Sequence, residues 1–282
     1  MNRQIIINAD DFGLCRGVNK AIVQAYTDGV LTSATIMANM PAAGEAVDLA
    51  KKLPCLGAGV HLNIFEGHPL SDDTCVKCLV DADGRFCMSA ARLSLLSITK
   101  TKIRNAIKAE FAAQIQWVIN NGLKPTHLDS HKHIHSFPVI FSIVCELAAQ
   151  FGISAVRFTY EPGKICRAPW PYPGQGGKKR AWLIRHMAMI NRLQNSILLK
   201  TEVIFGIAHT GKIDVDFFRA VTLYNSAEIV EVMTHPGYTD GLDADKTRLI
   251  EQRKLELDAL CSDKTKQYFK EAGIKLIHYG QL

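Results

Sequence analysis

The segment from Thr126 to His135 carries four of the ten histidines of the chain, together with Asp129. Alternate side chains of a β-strand share one face, so His127, Asp129 and His131 would point in the same direction. A buried strand face normally carries apolar side chains, whereas imidazole and carboxylate groups are the usual protein ligands of divalent metals. The spacing therefore predicts a metal site beside this strand.

A helix and a histidine-rich surface loop are the alternatives for this segment. A helix would also bring the histidines at intervals of four onto one face. Against it, Pro125 precedes the segment, and Ser136 and Pro138 have the types expected at an N-cap and in a first helical turn. We predict a strand that ends near His131, then a short turn, then a helix over residues 138–150.

The length and composition of the chain bound its fold class. A chain of 282 residues, 48% of them hydrophobic, suits one large domain, and a (β/α)8 barrel reaches this size as a single unit. We therefore predict a single domain over residues 1–282.

The net charge of +6 is mild and indicates no nucleic-acid partner. No apolar run has membrane-spanning length, and the apolar N-terminus leads directly into acids, so we predict a cytoplasmic protein.

Apolar β-branched runs alternate along the chain with amphipathic segments. The predicted strands cover residues 5–7, 31–38, 57–64, 126–131, 155–158, 203–208, 229–237 and 275–279. The predicted helices cover residues 17–28, 42–52, 103–121, 138–150, 178–199, 215–224 and 247–261. Such alternation predicts an α/β fold with a parallel sheet. The long connection over residues 65–97 is typical of a functional loop or lid.

The chain has eight cysteines, of which Cys75 and Cys78 form a C-x2-C pair with Cys55 and Cys87 at loose spacing. A single pair of this kind is a weak zinc signal. Reduced thiols in a cytoplasmic protein are the simpler interpretation.

The predicted helix over 178–199 is both basic and amphipathic. An ordinary outer barrel helix with a solvated basic face is one interpretation, and contact with a membrane surface or a lipidic substrate is the other. Its apolar residues are Trp182, Met189, Ile190, Leu193 and Ile197, and its basic residues are Lys178, Lys179, Arg180, Arg185 and Arg192.

Potential catalytic groups fall at the ends of several predicted strands. In a parallel β/α barrel, catalytic residues lie at the carboxyl ends of different strands. Asp11, His61 and His131 would supply a carboxylate and two imidazoles to one divalent metal ion, which suits zinc by ligand type, whereas magnesium prefers more oxygens. Asp10 could take a proton from water, and His235 could protonate a leaving group. A turn-forming role for Asp10 and a structural role for His235 are the alternatives.

The motifs at these strand ends resemble those of the YdjC-like carbohydrate deacetylases, which include the deacetylase of diacetylated chitooligosaccharides. The resemblance spans nearly the whole chain. It rests on Asn8–Gly13, Val60–Leu62, Thr126–His135 and Met233–Gly237.

The resemblance implies a distorted (β/α) barrel, TIM-like and related to polysaccharide deacetylases. It also implies hydrolysis of the N-acetyl group of an amino sugar. In that family's pattern Asp11, His61 and His131 bind the metal, Asp10 is the base and His235 the acid. The cofactor implied is a single divalent ion, Mg²⁺ or Zn²⁺.

Within the family, the hopanoid-biosynthesis-associated branch is the most similar. Leu79–Phe86, Ala155–Arg157 and Tyr160–Pro162 carry that resemblance. It implies an N-acetylglucosaminyl glycolipid as substrate. We also predict Arg157 and His133 as substrate-binding residues, and a homodimer is one option for the assembly. Lys132 departs from the chitooligosaccharide enzymes, which have histidine at that position.

Other function classes remain as alternatives. A metal-dependent hydrolase or isomerase of another small polar molecule would use the same ligands. A non-catalytic carbohydrate-binding protein with a structural metal would need no base or acid beside them. The presence of a candidate base, Asp10, and a candidate acid, His235, beside the ligands favours an enzyme.

Overall fold

The computed structural model describes residues 3–163, 175–242 and 247–282. In these ranges, seven strands form one parallel sheet in the order β4-β3-β2-β1-β6-β5, with β7 paired to the start of β1. The strands are β1 Gln4–Phe12, β2 Ser33–Ile36, β3 Gly57–Leu62, β4 Leu128–Ser130, β5 Val203–Phe205, β6 Ile229–Thr234 and β7 Lys275–Ile277. The predicted parallel α/β sheet is confirmed.

The extended segment 155–160 closes the gap between β4 and β5. Val156 forms a single parallel bridge to Leu128, and the backbone N–H of Ile204 donates to the carbonyl of Tyr160 at 3.0 Å. The strand predicted over 155–158 is therefore wrong as a regular strand, because each neighbour offers it only one or two ladder bonds. These sparse contacts make the barrel a distorted one, as the resemblance implies.

Helices surround the sheet. In the described ranges they are α1 Arg16–Thr27, α2 Ala43–Lys51, α3 Ala90–Thr99, α4 Thr101–Asn120, α5 Pro138–Gln150, α6 Gln175–Gln194, α7 Val215–Leu223, α8 Glu251–Cys261 and α9 Asp263–Glu271. α5 has the predicted bounds. The segment of α3 was expected to be part of an irregular connection. α9 was not predicted, and the single residue Ser262, whose backbone is extended, separates it from α8. None of the described helices is long and apolar enough to cross a membrane.

The two faces of β1 have different surroundings. Ile5, Ile7 and Ala9 pack in the main apolar core with residues of the helices, whereas Ile6 packs with Tyr279 in a separate inner cluster. The period of two then places Asn8 and Asp10 on the inner side with Ile6. The barrel interior is therefore polar near the carboxyl end of β1, where the functional groups predicted from sequence lie.

Candidate active site and metal centre

A bulge at the end of β1 brings two consecutive carboxylates to one rim of the barrel. Neighbouring residues of a regular strand point to opposite faces. The register with β2 shifts between Ala9 and Phe12, and Asp11 has φ 68°, in the left-handed region. Non-glycine residues adopt that region rarely, and Asp is among the types that tolerate it best. The bulge lets both Asp10 and Asp11 face the groups on neighbouring strands.

Asp11, His61 and His131 come together in the structure. One ligand atom from each lies within 4.8 Å of the others, and this set is one of two potential metal-binding groups in the described part of the chain. Asp11 Oδ1 is 3.5 Å from His61 Nε2 and 3.2 Å from His131 Nδ1. His61 lies on β3, whereas His131 opens the 3-10 turn His131–Ser136 directly after β4. The predicted ligand set is thus assembled from three separate rim segments.

Two carboxylates determine which imidazole nitrogens face Asp11. His61 Nδ1 is 2.7 Å from Asp129 Oδ1, and His131 Nε2 is 3.0 Å from Glu66 Oε1. A carboxylate accepts an N–H, so in the neutral rings the protons lie on these two nitrogens. The lone pairs of His61 Nε2 and His131 Nδ1 are then directed at a carboxylate oxygen. Carboxylate–histidine pairs of this kind orient and strengthen metal-binding histidines.

This arrangement of acceptors fits a divalent cation. Asp11 Oδ1 is buried and makes no hydrogen bond to any residue that the structure describes. A buried acceptor without a donor is costly, whereas a cation would satisfy all three donor atoms at once. One carboxylate oxygen and two imidazole nitrogens suit Zn²⁺.

Electrostatics around Asp11 agree with this fit. Burial alone would raise the pKa of Asp11, but Arg253, with Nη2 2.6 Å from Asp11 Oδ2, and His131 hold it well below its usual range. Burial would lower the pKa of His131, but Asp11 and Glu66 raise it to about 9. A proton and a metal ion would therefore compete for the imidazole of His131.

Asp10 lies beside this group and is held by Arg157. The guanidinium donates from Nη1 to Asp10 Oδ2 at 2.8 Å and from Nη2 to Oδ1 at 2.6 Å. Burial alone would raise the pKa of Asp10, but Arg157 holds it well below its usual range. Arg157 is therefore the dominant partner that keeps this carboxyl ionised.

His235 follows β6, and its Nε2 lies 4.0 Å from Asp10 Oδ2. Its backbone N–H donates to Glu256 Oε2 at 2.6 Å, which fixes the chain at the end of the strand. Burial is the main cause that lowers the pKa of His235 to about 4, while Asp10 opposes the shift. At neutral pH the imidazole is therefore uncharged.

Arg157 does not lie where a substrate could contact it. The residue is 1% exposed, and its guanidinium binds Asp10, Asp129 and Glu231, the last from Nε at 2.8 Å. The prediction of Arg157 as a substrate-binding residue is therefore corrected: it lies beneath the site and connects three carboxylates. A buried guanidinium with three carboxylate partners positions these carboxylates rather than binding a ligand.

The other histidines of the His-rich segment have different places. His127 lies on the inner face of the barrel with Asp129, as expected, but it belongs to neither potential metal group, and its ring stacks on Tyr279 at 3.9 Å between centroids. His133 sits in the turn at φ 55° and is 6% exposed, so little of its ring is open to a sugar. The strand ends at Ser130, and the alternation stops there.

Several site residues have no signal in the local sequence. Glu66 lies in the long connection, whereas Arg253 and Glu256 lie on α8, far from the motifs along the chain. Their roles follow from distances that only the folded chain defines. Asp129 had a signal, because it lies in the His-rich segment next to a predicted ligand.

The cysteines form no metal group in the described ranges. Both potential metal-binding groups there consist of Asp and His alone. Cys55, Cys75, Cys78 and Cys87 are free thiols in the structure. The C-x2-C pair therefore has no ligand role that the described structure supports.

The fold and this site define an α/β barrel of the hydrolase type, with Asp and His groups at the carboxyl rim of a parallel sheet. The chain belongs to the YdjC-like protein family, whose pattern matches residues 4–271. It is similar to a carbohydrate deacetylase of Brevibacillus brevis, with 35% identity over 99% of both chains, and to one of Geobacillus stearothermophilus, with 34% identity over 100% of this chain and 98% of the relative. These relatives support the predicted enzyme class.

Two further similarities concern a part of the chain and the fold. A chitooligosaccharide deacetylase of Salmonella schwarzengrund is 42% identical over 155 residues, which is 55% of this chain and 59% of the relative. A crystal structure from Enterococcus faecalis V583, described as a cellobiose-phosphate cleavage protein, has a TM-score of 0.78 and 24% identity over 100% of this chain and 99% of the other. The latter likeness supports the fold alone.

Proposed function

We propose that this protein hydrolyses the N-acetyl group of an amino sugar with one divalent cation held by Asp11, His61 and His131. The observation that carries the proposal is that one ligand atom from each of these three residues lies within 4.8 Å of the others. Two of these atoms are imidazole nitrogens, and neighbouring carboxylates direct their lone pairs toward the third. The full-length similarity to carbohydrate deacetylases supports the class of reaction.

The residues around the cation have distinct roles in this proposal. A bound divalent cation would supply Lewis acidity toward the acetyl carbonyl and the attacking water. Asp10, ionised because of Arg157, accepts the proton of that water. His235 is neutral at the start, and a proton passed from Asp10 across the 4.0 Å gap would allow it to protonate the leaving amine. The products are acetate and the free amino sugar.

Zinc is the metal that the donor set favours. Two imidazole nitrogens and one carboxylate oxygen match a catalytic zinc site with an open position. Magnesium usually takes six oxygen ligands, including several waters. A metal-free preparation titrated with either ion should regain acetate release at lower concentrations of Zn²⁺ than of Mg²⁺.

The finer substrate is the second part of the proposal. We infer an N-acetylglucosaminyl glycolipid of the hopanoid type, because α6 exposes apolar side chains such as Trp182 and Leu193. A soluble chitooligosaccharide is the competing substrate, and the similarity to the Salmonella enzyme favours it. Competition between the two substrates in one reaction would rank them.

A mass-spectrometric assay tests the reaction itself. Purified protein loaded with metal should remove one acetyl group from an N-acetylated sugar, and a chelator should abolish the activity. His131→Ala should lower the rate by at least about a hundredfold, because it removes a ligand that cannot be replaced by water without loss of affinity. His186→Ala is the matched control, since this exposed imidazole lies on α6.

Two outcomes would contradict the proposal. One is full activity of His131→Ala with a folded protein, which would remove the metal site from the mechanism. The other is the absence of acetate release from every chitooligosaccharide and glycolipid offered with either metal. Turnover of a phosphate ester or lactone in that second case would favour another metal-dependent hydrolase.

A further inference from the structure

Exposed large hydrophobic side chains are concentrated on α6 and the turn after it. Eleven such side chains are exposed in the described part of the chain, and six of them fall between residues 182 and 197. Leu193 is 89% exposed and Ile197 77%. We call these six the α6 apolar face: Trp182, Leu183, Met189, Ile190, Leu193 and Ile197.

The helical period places most of these side chains on one stripe. Residues 182, 183, 189, 190 and 193 follow the spacing of a single helix face. The opposite side of α6 is already occupied, because Ala181 and Ile184 are buried in a cluster with Ile204 and Met233. The α6 apolar face is thus a second hydrophobic surface that is not needed to hold the helix on the barrel.

The charge of the chain is concentrated on the same segment. Residues 175–200 contain six Lys and Arg residues and no Asp or Glu. The whole chain has 33 basic and 27 acidic residues, so the remaining residues carry 27 of each sign. The net charge of +6 therefore belongs entirely to this segment. Apolar side chains flanked by cations are typical of a helix that lies at an anionic membrane surface.

α6 also lies close to the candidate active site. Asn191 Nδ2 donates to the carbonyl of Ser136 at 2.9 Å, at the end of the turn that begins with His131. Met233, which α6 covers, lies two residues before His235. A surface that binds α6 would therefore come near the rim that carries the potential metal ligands.

We propose that the α6 apolar face binds the surface of a bilayer that contains anionic lipids. Like charge disfavours a second copy of the chain as the occupant, because two such segments would bring their cations together. The lipid surface satisfies both features, since acyl chains accept Trp182 and Leu193 while headgroups attract Lys179 and Arg192. This inference rests on the proposed function insofar as the bilayer would present a glycolipid to the site.

Vesicle flotation tests the proposal with the intact protein. The vesicles are made of phosphatidylcholine alone, or of phosphatidylcholine and phosphatidylglycerol in equal parts. The protein should float with the anionic vesicles and not with the neutral ones, and added salt should weaken the binding because it screens the charges. The emission of tryptophan should shift to shorter wavelength as Trp182 enters the interface.

Two variants separate the apolar and the charged contribution. Leu193→Ser with Ile197→Ser should lower the fraction bound by about tenfold or more, since both side chains lose their apolar contact. Lys179→Gln with Arg192→Gln should have an effect of similar size, about tenfold, on anionic vesicles. Leu223→Ser with Leu255→Ser is the matched control, because these exposed leucines lie on α7 and α8.

Acetate release from a soluble substrate distinguishes this inference from the proposed function. All three double variants should retain that activity, because none of the changed residues belongs to the candidate site. A protein that releases acetate but never floats would overturn the membrane inference alone. Self-association that the Leu193→Ser and Ile197→Ser pair abolishes, without vesicle binding, would identify a second copy as the occupant and would also overturn it.

Discussion

At the scale of single residues, the site depends on how protons are distributed over two imidazoles. Asp129 lies beside His61 and Glu66 beside His131, and each carboxylate contacts the ring nitrogen that points away from Asp11. Each carboxylate thereby keeps a lone pair directed at the position a cation would take. The carboxylates matter as much as the ligands themselves, although they are not part of the ligand set.

Glu66→Gln tests this role of the outer carboxylate. The neutral amide removes the negative charge beside His131 Nε2, so metal affinity should fall by about 10- to 100-fold. Competition with a chromophoric chelator measures the dissociation constant. Glu146→Gln is the control, since it makes the same change at an exposed carboxylate that pairs with Lys108. Equal affinities of the two variants would exclude Glu66 from the metal site.

At the scale of elements, the inner face of the sheet has no room for an extra atom beside His127, the buried histidine directly before β4. A Cβ at Gly59 on β3 would lie 2.5 Å from His127 Cε1 and 2.8 Å from Thr35 Cγ2. His127 cannot easily move away, because its ring stacks on Tyr279. The glycine therefore sets how closely β2, β3 and the His-rich segment approach.

Gly59→Ala should lower the free energy of unfolding by about 1–3 kcal/mol, the usual cost of overpacking a core. Chemical denaturation measures the change. Gly44→Ala on α2 is the control, because no atom lies within 4 Å of its Cβ position. The alanine there should leave stability unchanged or raise it by up to about 1 kcal/mol, since it favours the helix. A stable Gly59→Ala protein would show that the sheet can separate at this point.

At the scale of the whole molecule, buried carboxyl groups make stability depend on pH. Glu161 is 4% exposed and accepts from the backbone N–H groups of Gly206 and Ala208 at 2.9 and 2.8 Å. Burial raises its pKa to about 7 from a usual 4.5, against these hydrogen bonds. The folded state holds this proton more tightly than the unfolded chain does. The contribution of Glu161 to the free energy of unfolding is therefore fully present below pH 4.5 and is lost as the pH rises to about 7.

Glu161→Gln should remove this pH dependence. The variant has no carboxyl proton to release. From acidic to slightly alkaline pH, the free energy of unfolding of the wild type should therefore fall by on the order of 3 kcal/mol relative to that of the variant. A constant offset from the altered hydrogen bonds is expected in addition. Thermal unfolding of both proteins across this range gives the difference in slope. Parallel curves would contradict the prediction, and Glu271→Gln controls for the loss of an exposed carboxylate.

Much of the fold and site was readable from local sequence. The alternation of strands and helices, the helix over 138–150 and the motif residues at strand ends are all carried by side-chain type and spacing over short windows. The parallel sheet then follows, because β-α connections return each strand in the same direction. This is enough to bring Asp11, His61 and His131 to one rim without knowledge of any distance.

Only the tertiary structure decided which groups meet these residues and in what state. Arg253 reaches Asp11 from 242 residues along the chain, and Arg157 turns from a candidate for substrate binding into a buried partner of Asp10. The pKa of His235 depends likewise on its burial. Hydrogen bonding and desolvation act over a few ångströms of space, and no periodicity along the chain encodes which distant segments come that close.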